Sequence, residues 1–330
     1  MIAFKGYSIS ESSLKEGDAL TADVGIFVAG WERRFDHSIR KLQLKLNLAI
    51  VLNFEDDELP YEMIEDTERV LQRTSKQTAC ITLPAANSRS EWNGSIDRLL
   101  EDSQLIKARS LIVDYSCMPK SITQTIFRAI VRKGLFAKST WLYSLGIYSD
   151  VENNTSFAQG VREFYPIRHT PGDGGMSSKR VAIVAIGGDE GLVVEYLEHY
   201  NFDRIFCICG ESASSDNLTV GIGKIVKRLS FENRLSPEDI VTCDAASVIG
   251  CIERMQEIIT GLDHSTSVEI FCTGPKSHAV AACIVAERYP SVRLMGRDAL
   301  RYSRHDVKAQ GAISRVEFID YSNPNVRFVI

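Results

Sequence analysis

Two short segments of this chain carry residue types that could hold an anion. The first is Ile186-Gly187-Gly188-Asp189-Glu190-Gly191, in which glycines follow a buried apolar run. Glycine lets backbone approach a phosphate, and a following helix offers unpaired N–H groups and its positive dipole end. Asp189 and Glu190 also suit the first turn of a helix without any ligand, because the same dipole favours carboxylates there. The second segment is Thr273-Gly274-Pro275-Lys276-Ser277-His278, which ends one apolar run and opens a stretch of small residues, Ala279, Ala281, Ala282, Cys283 and Ala286. Small side chains would let that helix lie close to a sheet and bring Lys276 near the strand ends. A tight turn with a solvated Lys276 is the plain alternative.

A third constellation is Gly30-Trp31-Glu32-Arg33-Arg34. Arginine can hold a phosphate through two parallel hydrogen bonds, and tryptophan can stack on a base. Glu32 could instead act as a general base or nucleophile in cleavage of an N-glycosidic bond, with Asp114 at the same edge. An Arg–Glu network at a helix start accounts for the same residues without chemistry. Arg297, Arg301, Arg304 and Lys308, with His305 adjacent, stand at helical spacing; they could close over an anion, and a solvated charged face accounts for them more simply.

The elements that must position these residues occur twice. Leu111–Asp114 leads to Pro119-Lys120-Ser121, and Val268–Cys272 leads to Pro275-Lys276-Ser277. Each copy follows an earlier apolar strand that ends in glycine, Val24–Gly30 and Val181–Gly188 respectively. Gly30 to Lys120 spans 90 positions and Gly188 to Lys276 spans 88, so the two halves keep step. Strands are expected at 24–30, 48–54, 79–83, 111–115 and 140–147, and again at 181–186, 205–209, 240–244, 268–272 and 292–295. Helices are expected between them, including 35–46, 122–133, 190–199, 218–229, 247–260 and 278–288, from apolar residues at helical spacing. Such alternation implies α/β architecture: two tandem Rossmann-like units with parallel sheets, one a pseudo-duplicate of the other. The expected boundaries are 1–150 for the first unit with an N-terminal leader or hairpin, 151–178 for a breaker-rich linker, and 179–330 for the second. A C-terminal hairpin around Ser322-Asn323-Pro324 closes the second unit.

Composition narrows the classes. The chain has 330 residues, 44% apolar and 25% charged, the balance of a soluble globular protein large enough for two cores. A net charge of −5 argues against general nucleic-acid binding, which leaves a basic footprint. No apolar run approaches the roughly 20 residues that span a bilayer, and no signal-peptide pattern opens the sequence, so a cytoplasmic protein is expected. The eight cysteines form no Cys-x-x-Cys pair and the six histidines show no ligand spacing, so no metal is expected. No nucleophile elbow, metalloprotease helix or Walker loop is present.

Thr-Gly-Pro-Lys at the end of a late strand resembles the Thr-Gly-Gly-Thr-Lys type loop of CRISPR-associated Rossmann-fold (CARF) sensor domains. The paired-unit arrangement is similar to that of SAVED domains. The resemblance implies that Gly187, Gly188, Thr273, Gly274, Lys276 and Ser277 line a pocket for a cyclic or linear oligonucleotide messenger, in a bacterial antiviral defence system. Gly30, Trp31, Arg33, Arg34 and Lys120 are the corresponding candidates in the first unit. The resulting expectation is a nucleotide-binding sensor or accessory protein with a protein partner or effector and no obligatory cofactor. A nucleoside- or NAD-directed glycosidase using Glu32 or Asp114, and a scaffold without ligand, remain alternatives at this level.

Overall fold

The computed structural model describes residues 2–4, 7–30, 32–54, 61–83, 89–101, 107–147, 158–167, 179–187, 190–211, 216–232, 234–302 and 307–320. In chain order the first part runs β1 (Ile2–Phe4), β2 (Tyr7–Leu14), β3 (Ala19–Val28), α1 (His37–Lys41) and β4 (Gln43–Phe54). It continues through α2 (Tyr61–Leu71), β5 (Ser75–Leu83), α3 (Arg89–Leu100), β6 (Ser110–Asp114), α4 (Lys120–Lys133) and β7 (Lys138–Ile147). The second part runs β8 (Ala158–Pro166), β9 (Lys179–Ile186), α5 (Glu190–His199), β10 (Arg204–Glu211), α6 (Asp216–Phe231) and β11 (Ile240–Asp244). It ends with α7 (Val248–Thr260), β12 (Thr266–Cys272), α8 (Lys276–Arg288), β13 (Val292–Tyr302) and β14 (Lys308–Asp320).

The fold is α/β with two mixed, mostly parallel sheets. Among the described residues the first has eight strands in the order β1-β2-β14-β7-β6-β3-β4-β5, and the second has six in the order β11-β10-β9-β12-β13-β8. Both contain the same parallel core. In the first, β3 is flanked by β4 and β5 on one side and β6 and β7 on the other. In the second, β9 is flanked by β10 and β11 on one side and β12 and β13 on the other. Numbered within each unit, both read 3-2-1-4-5, the doubly wound order of a Rossmann-like half. The central strands are continuous apolar runs because helices cover both faces: Val24 and Ile26–Val28, and Val181–Ile186, are all buried.

Helix starts repeat as well. Lys120 and Lys276 are the first residues of the helices that follow the fourth core strand, each preceded by a proline, Pro119 and Pro275, with φ of −54°. Proline suits a helix entry because it lacks an N–H that would have no partner there. Helix α4 stops at Gly134, whose φ of 57° places it in the left-handed region and lets its N–H reach the Ile130 carbonyl.

Several elements differ from the sequence expectations. The helix expected at 35–46 is only five residues long, because β4 begins at Gln43. Leu42, Leu44 and Leu46 are buried with Gln43 and Lys45 exposed between them, a period of two. Part of the expected linker is β8, which pairs antiparallel with β13 and buries Phe164 and Tyr165. Among the described residues of the Arg297–Lys308 run there is no helix: Arg297 and Arg301 lie in β13 and Lys308 starts β14, while Arg304 and His305 lie outside the described residues. A spacing of four falls on one face of a strand as well as of a helix.

The unit boundary also moves. The first unit comprises Met1–Gly146 with His305–Ile330, and the second comprises Ile147–Arg304. The C-terminal strand assigned by sequence to the second unit belongs to the first sheet, where β14 pairs antiparallel with β2 from Ile313–Leu14 to Asp320–Tyr7. Its buried Ile313, Val316 and Phe318 complete that core. The second arm of the expected hairpin, 326–330, lies outside the described residues.

Candidate functional site

In the second unit, β9 and β12 are adjacent and parallel, and the strand order reverses between them. Ligands of open α/β sheets bind outside the carboxyl ends at such a point. Here the two chains leave the sheet in backbone contact. The amides of Thr273 and Gly274 both donate to the Ala185 carbonyl, at 2.9 and 2.8 Å. The Thr273 hydroxyl donates to the same carbonyl at 3.2 Å and accepts from the Gly187 amide at 3.2 Å. A Cβ on Gly187 would fall 2.5 Å from the Thr273 carbonyl oxygen, and one on Gly274 would fall 2.6 Å from that of Ile186. Only glycine fits at either position.

The site residues expected in this unit are therefore partly brought together. Gly187, Thr273 and Gly274 form the crossing, and Lys276, half-buried, opens α8 directly after it. The first turn of α8 contains no acidic residue, so nothing there opposes a bound anion. Ser277 is fully buried and donates its hydroxyl to the Ala245 carbonyl, a tie to the end of β11. Gly188 lies outside the described residues.

Beside this crossing sits a cluster that the sequence spacing hid. Cys243 is the penultimate residue of β11, Cys251 lies in the first turn of α7, and His278 is the third residue of α8. Their ligand atoms all lie within 4.8 Å of one another, and Cys243 Sγ is 3.4 Å from His278 Nε2. Cys251 and His278 are wholly buried, whereas Cys243 is half-buried. Hydrogen bonds from Cys251 and then His278 hold the Cys243 thiol well below the ordinary thiol range, against the opposing effect of burial. The neighbouring strand thiols go the other way: burial pushes Cys209 up to about 11 and Cys207 higher still. The signal available in the sequence was positional. All three residues fall at a strand's carboxyl end or in a following helix's first turn.

Gly210 of β10 makes room for this corner. A Cβ there would lie 3.0 Å from Pro275 Cγ and 3.2 Å from His278 Cε1. Ser247 caps α7 by accepting from the Gly250 amide at 2.9 Å, which fixes the turn that presents Cys251.

The corresponding edge of the first unit is a closed polar network. Arg34 is 2% exposed, ion-paired to Glu32 and within 3.3 Å of the Ser144 carbonyl, with its guanidinium 5.9 Å from the Tyr143 ring centre. Asp114 accepts from the Ser38 hydroxyl and from the Ser116 amide, the latter at 2.8 Å. Ser116 in turn accepts from the Ser144 amide at 2.8 Å. Gly30 faces Cys117, whose Cβ would lie 3.1 Å from an added one, and Cys117 Sγ is 4.0 Å from Glu32 Oε2. Glu32, Arg34 and Asp114 are thus brought to one edge, and Lys120 starts α4 nearby in sequence. Trp31 and the side chain of Arg33 lie outside the described residues.

No family model matches this chain, and no curated protein matches it. A solved structure that is similar, the cytoplasmic domain of a prokaryotic cation chloride cotransporter, shares 7% sequence identity at a TM-score of 0.28. That match covers 84% of this chain and 95% of the other. Among the described residues no helix is long and apolar enough to cross a membrane.

Proposed function

We propose that the carboxyl edge of the second sheet binds a nucleotide-type anion, and that the protein is a sensing or accessory subunit. The observation that carries this reading is the crossing of Gly187 and Gly274 at the switch point. It draws the two strand ends together and leads straight into a helix that begins with Lys276 and has no acidic residue in its first turn. The resemblance of Thr273–Lys276 to the loop of CRISPR-associated sensor domains supports an oligonucleotide messenger as the ligand and antiviral defence as the setting.

The hydroxyls of Thr273 and Ser277 hold chain to chain, so their role in this reading is to fix the loop. The amides of Gly187, Thr273 and Gly274 are likewise spent within the loop, so contact with the anion falls to Lys276 at the start of α8. The glycosidase reading loses support because Asp114 is 3% exposed with an acceptor bond on each oxygen, and Glu32 balances a buried guanidinium.

Calorimetric titration with cyclic and linear oligoadenylates, ATP and NAD tests the proposal. One of these should bind, and Lys276→Ala should weaken that binding by roughly 10- to 100-fold, the effect of losing one charge-assisted contact. Absence of binding across the panel, or unchanged affinity in Lys276→Ala, would overturn it.

A further inference from the structure

We propose that Cys243, Cys251 and His278 form a binding site for a zinc-class divalent cation, with three protein ligands and a fourth position open at the Cys243 side. Three separate elements, β11, α7 and α8, deliver one soft donor each to one point. In a tetrahedral zinc site, bonds of about 2.3 Å to sulfur and about 2.0 Å to nitrogen set neighbouring donors about 3.5–3.8 Å apart. The Cys243–His278 separation of 3.4 Å already has this length, and the remaining separations, all under 4.8 Å, need only small side-chain rotations.

Chemistry selects the ion class. Two thiolates and an imidazole are soft and borderline donors, which suit zinc and disfavour magnesium or calcium. Two thiolates also neutralise a divalent charge, so the occupied site carries little net charge into a buried corner. His278 supplies an independent observation. Its ring is wholly buried, and among the described residues its Nδ1 has no hydrogen-bond partner. The other nitrogen, Nε2, faces Cys243 and is the ring atom placed to ligate.

Three protein ligands with one open position is the pattern of an exchangeable or reactive zinc site, whereas purely structural zinc takes four. The open direction follows from exposure. Cys251 and His278 are sealed, Cys243 is half-buried, and the adjacent Asp244 is exposed with one carboxylate oxygen accepting from the Ala246 amide at 2.7 Å. Water or a small anionic ligand is the natural fourth donor. This inference does not depend on the nucleotide reading.

The 330-residue chain, purified without chelators from zinc-supplemented cells, should carry about one zinc per chain by elemental analysis. The apo protein, titrated with Co²⁺, should develop a thiolate-to-cobalt charge-transfer band together with the intense visible bands of tetrahedral cobalt. Cys243→Ser, chosen because its half-exposed position spares the core, should lose most of the charge-transfer intensity. It should also loosen metal binding by more than ~10-fold while its circular dichroism spectrum stays that of the wild type. His278→Asn, if it folds, should do the same. Wild-type protein with no retained zinc and no charge-transfer band would overturn the proposal. So would cobalt binding undiminished in Cys243→Ser.

Discussion

Gly187 and Gly274 meet backbone to backbone: a Cβ on Gly187 would fall 2.9 Å from the Gly274 Cα. Neither position has a flexible side chain that could yield. Gly274→Ala should force the ends of β9 and β12 apart and destabilise the protein by about 1–3 kcal/mol, as overpacking does. Gly223→Ala is the matched control, since Gly223 sits inside α6 with open space around it. It should stabilise by about 0.5–1 kcal/mol. Urea unfolding midpoints of the two variants should move in opposite directions.

The second prediction concerns the Glu32–Arg34 pair. Arg34 is almost fully buried, and Glu32 is its ion-pair partner. Glu32→Gln keeps the shape but removes the counter-charge, and breaking a buried pair from one side costs about 3 kcal/mol or more. Glu32→Gln should therefore lower the thermal midpoint clearly and leave nucleotide affinity within several-fold. Wild-type turnover of NAD or nucleosides that Glu32→Gln abolishes, with stability unchanged, would restore the enzymatic reading.

Asp114 offers a test that separates a structural acceptor from a reactive group. Asp114→Ala leaves the buried Ser38 hydroxyl and Ser116 amide without their acceptor, at a cost of about 2–4 kcal/mol. Asp114→Asn keeps one acceptor oxygen and a polar group for Ser38, so it should recover at least about half of that loss. Equal destabilisation in both variants would show that charge, and not hydrogen bonding, is what the site requires.

The pH dependence of stability should carry a contribution from Asp23. Burial alone would raise its carboxyl, but hydrogen bonds from the Arg109 amide, the Ser110 hydroxyl and amide, and Asn47 outweigh this and hold it below its ordinary value. A depressed folded value means that the unfolded chain takes up the proton first. The stabilisation is therefore complete above the unfolded value of about 3.9 and fades as pH falls through the lower folded value. Asp23→Asn should be less stable than wild type at pH 6, and the gap should narrow toward pH 2–3. A gap that stays constant over that range would rule the linkage out.

Much of the fold could be read from the residues because each parallel core strand is a continuous apolar run between helical patterns. Ile240–Asp244 and Glu190–His199 fall where the patterns place them. Errors arose where one spacing serves two periods. Ile39, Leu42 and Leu46 fit a helix, yet Leu44 and Leu46 lie on the buried face of β4 and Leu42 leads into it with the same period of two. The sheet positions of the antiparallel strands β8 and β14 cannot be read locally, because their partners are far off in sequence and no local pattern names a partner. Gly187, Gly274 and Pro275-Lys276-Ser277 stand where β9 and β12 end and α8 begins, as glycine and proline do at such junctions. Cys243, Cys251 and His278 stayed hidden because a site built from three elements leaves no fixed spacing.

The placement of β14 has a consequence for how the chain acquires its structure. In the first sheet β14 stands between β2 and β7, so among the described strands the β1–β2 hairpin joins the rest of that sheet through a strand encoded about 300 residues later. At synthesis rates of about 5–20 residues per second, the hairpin would wait roughly 15–60 s on the ribosome before its partner exists. The second unit lies wholly within that interval and has all six of its strands before β14 emerges. The unit that starts the chain is thus the later of the two to close, and the exposed edge of β2 is the surface a nascent chain would need to shield.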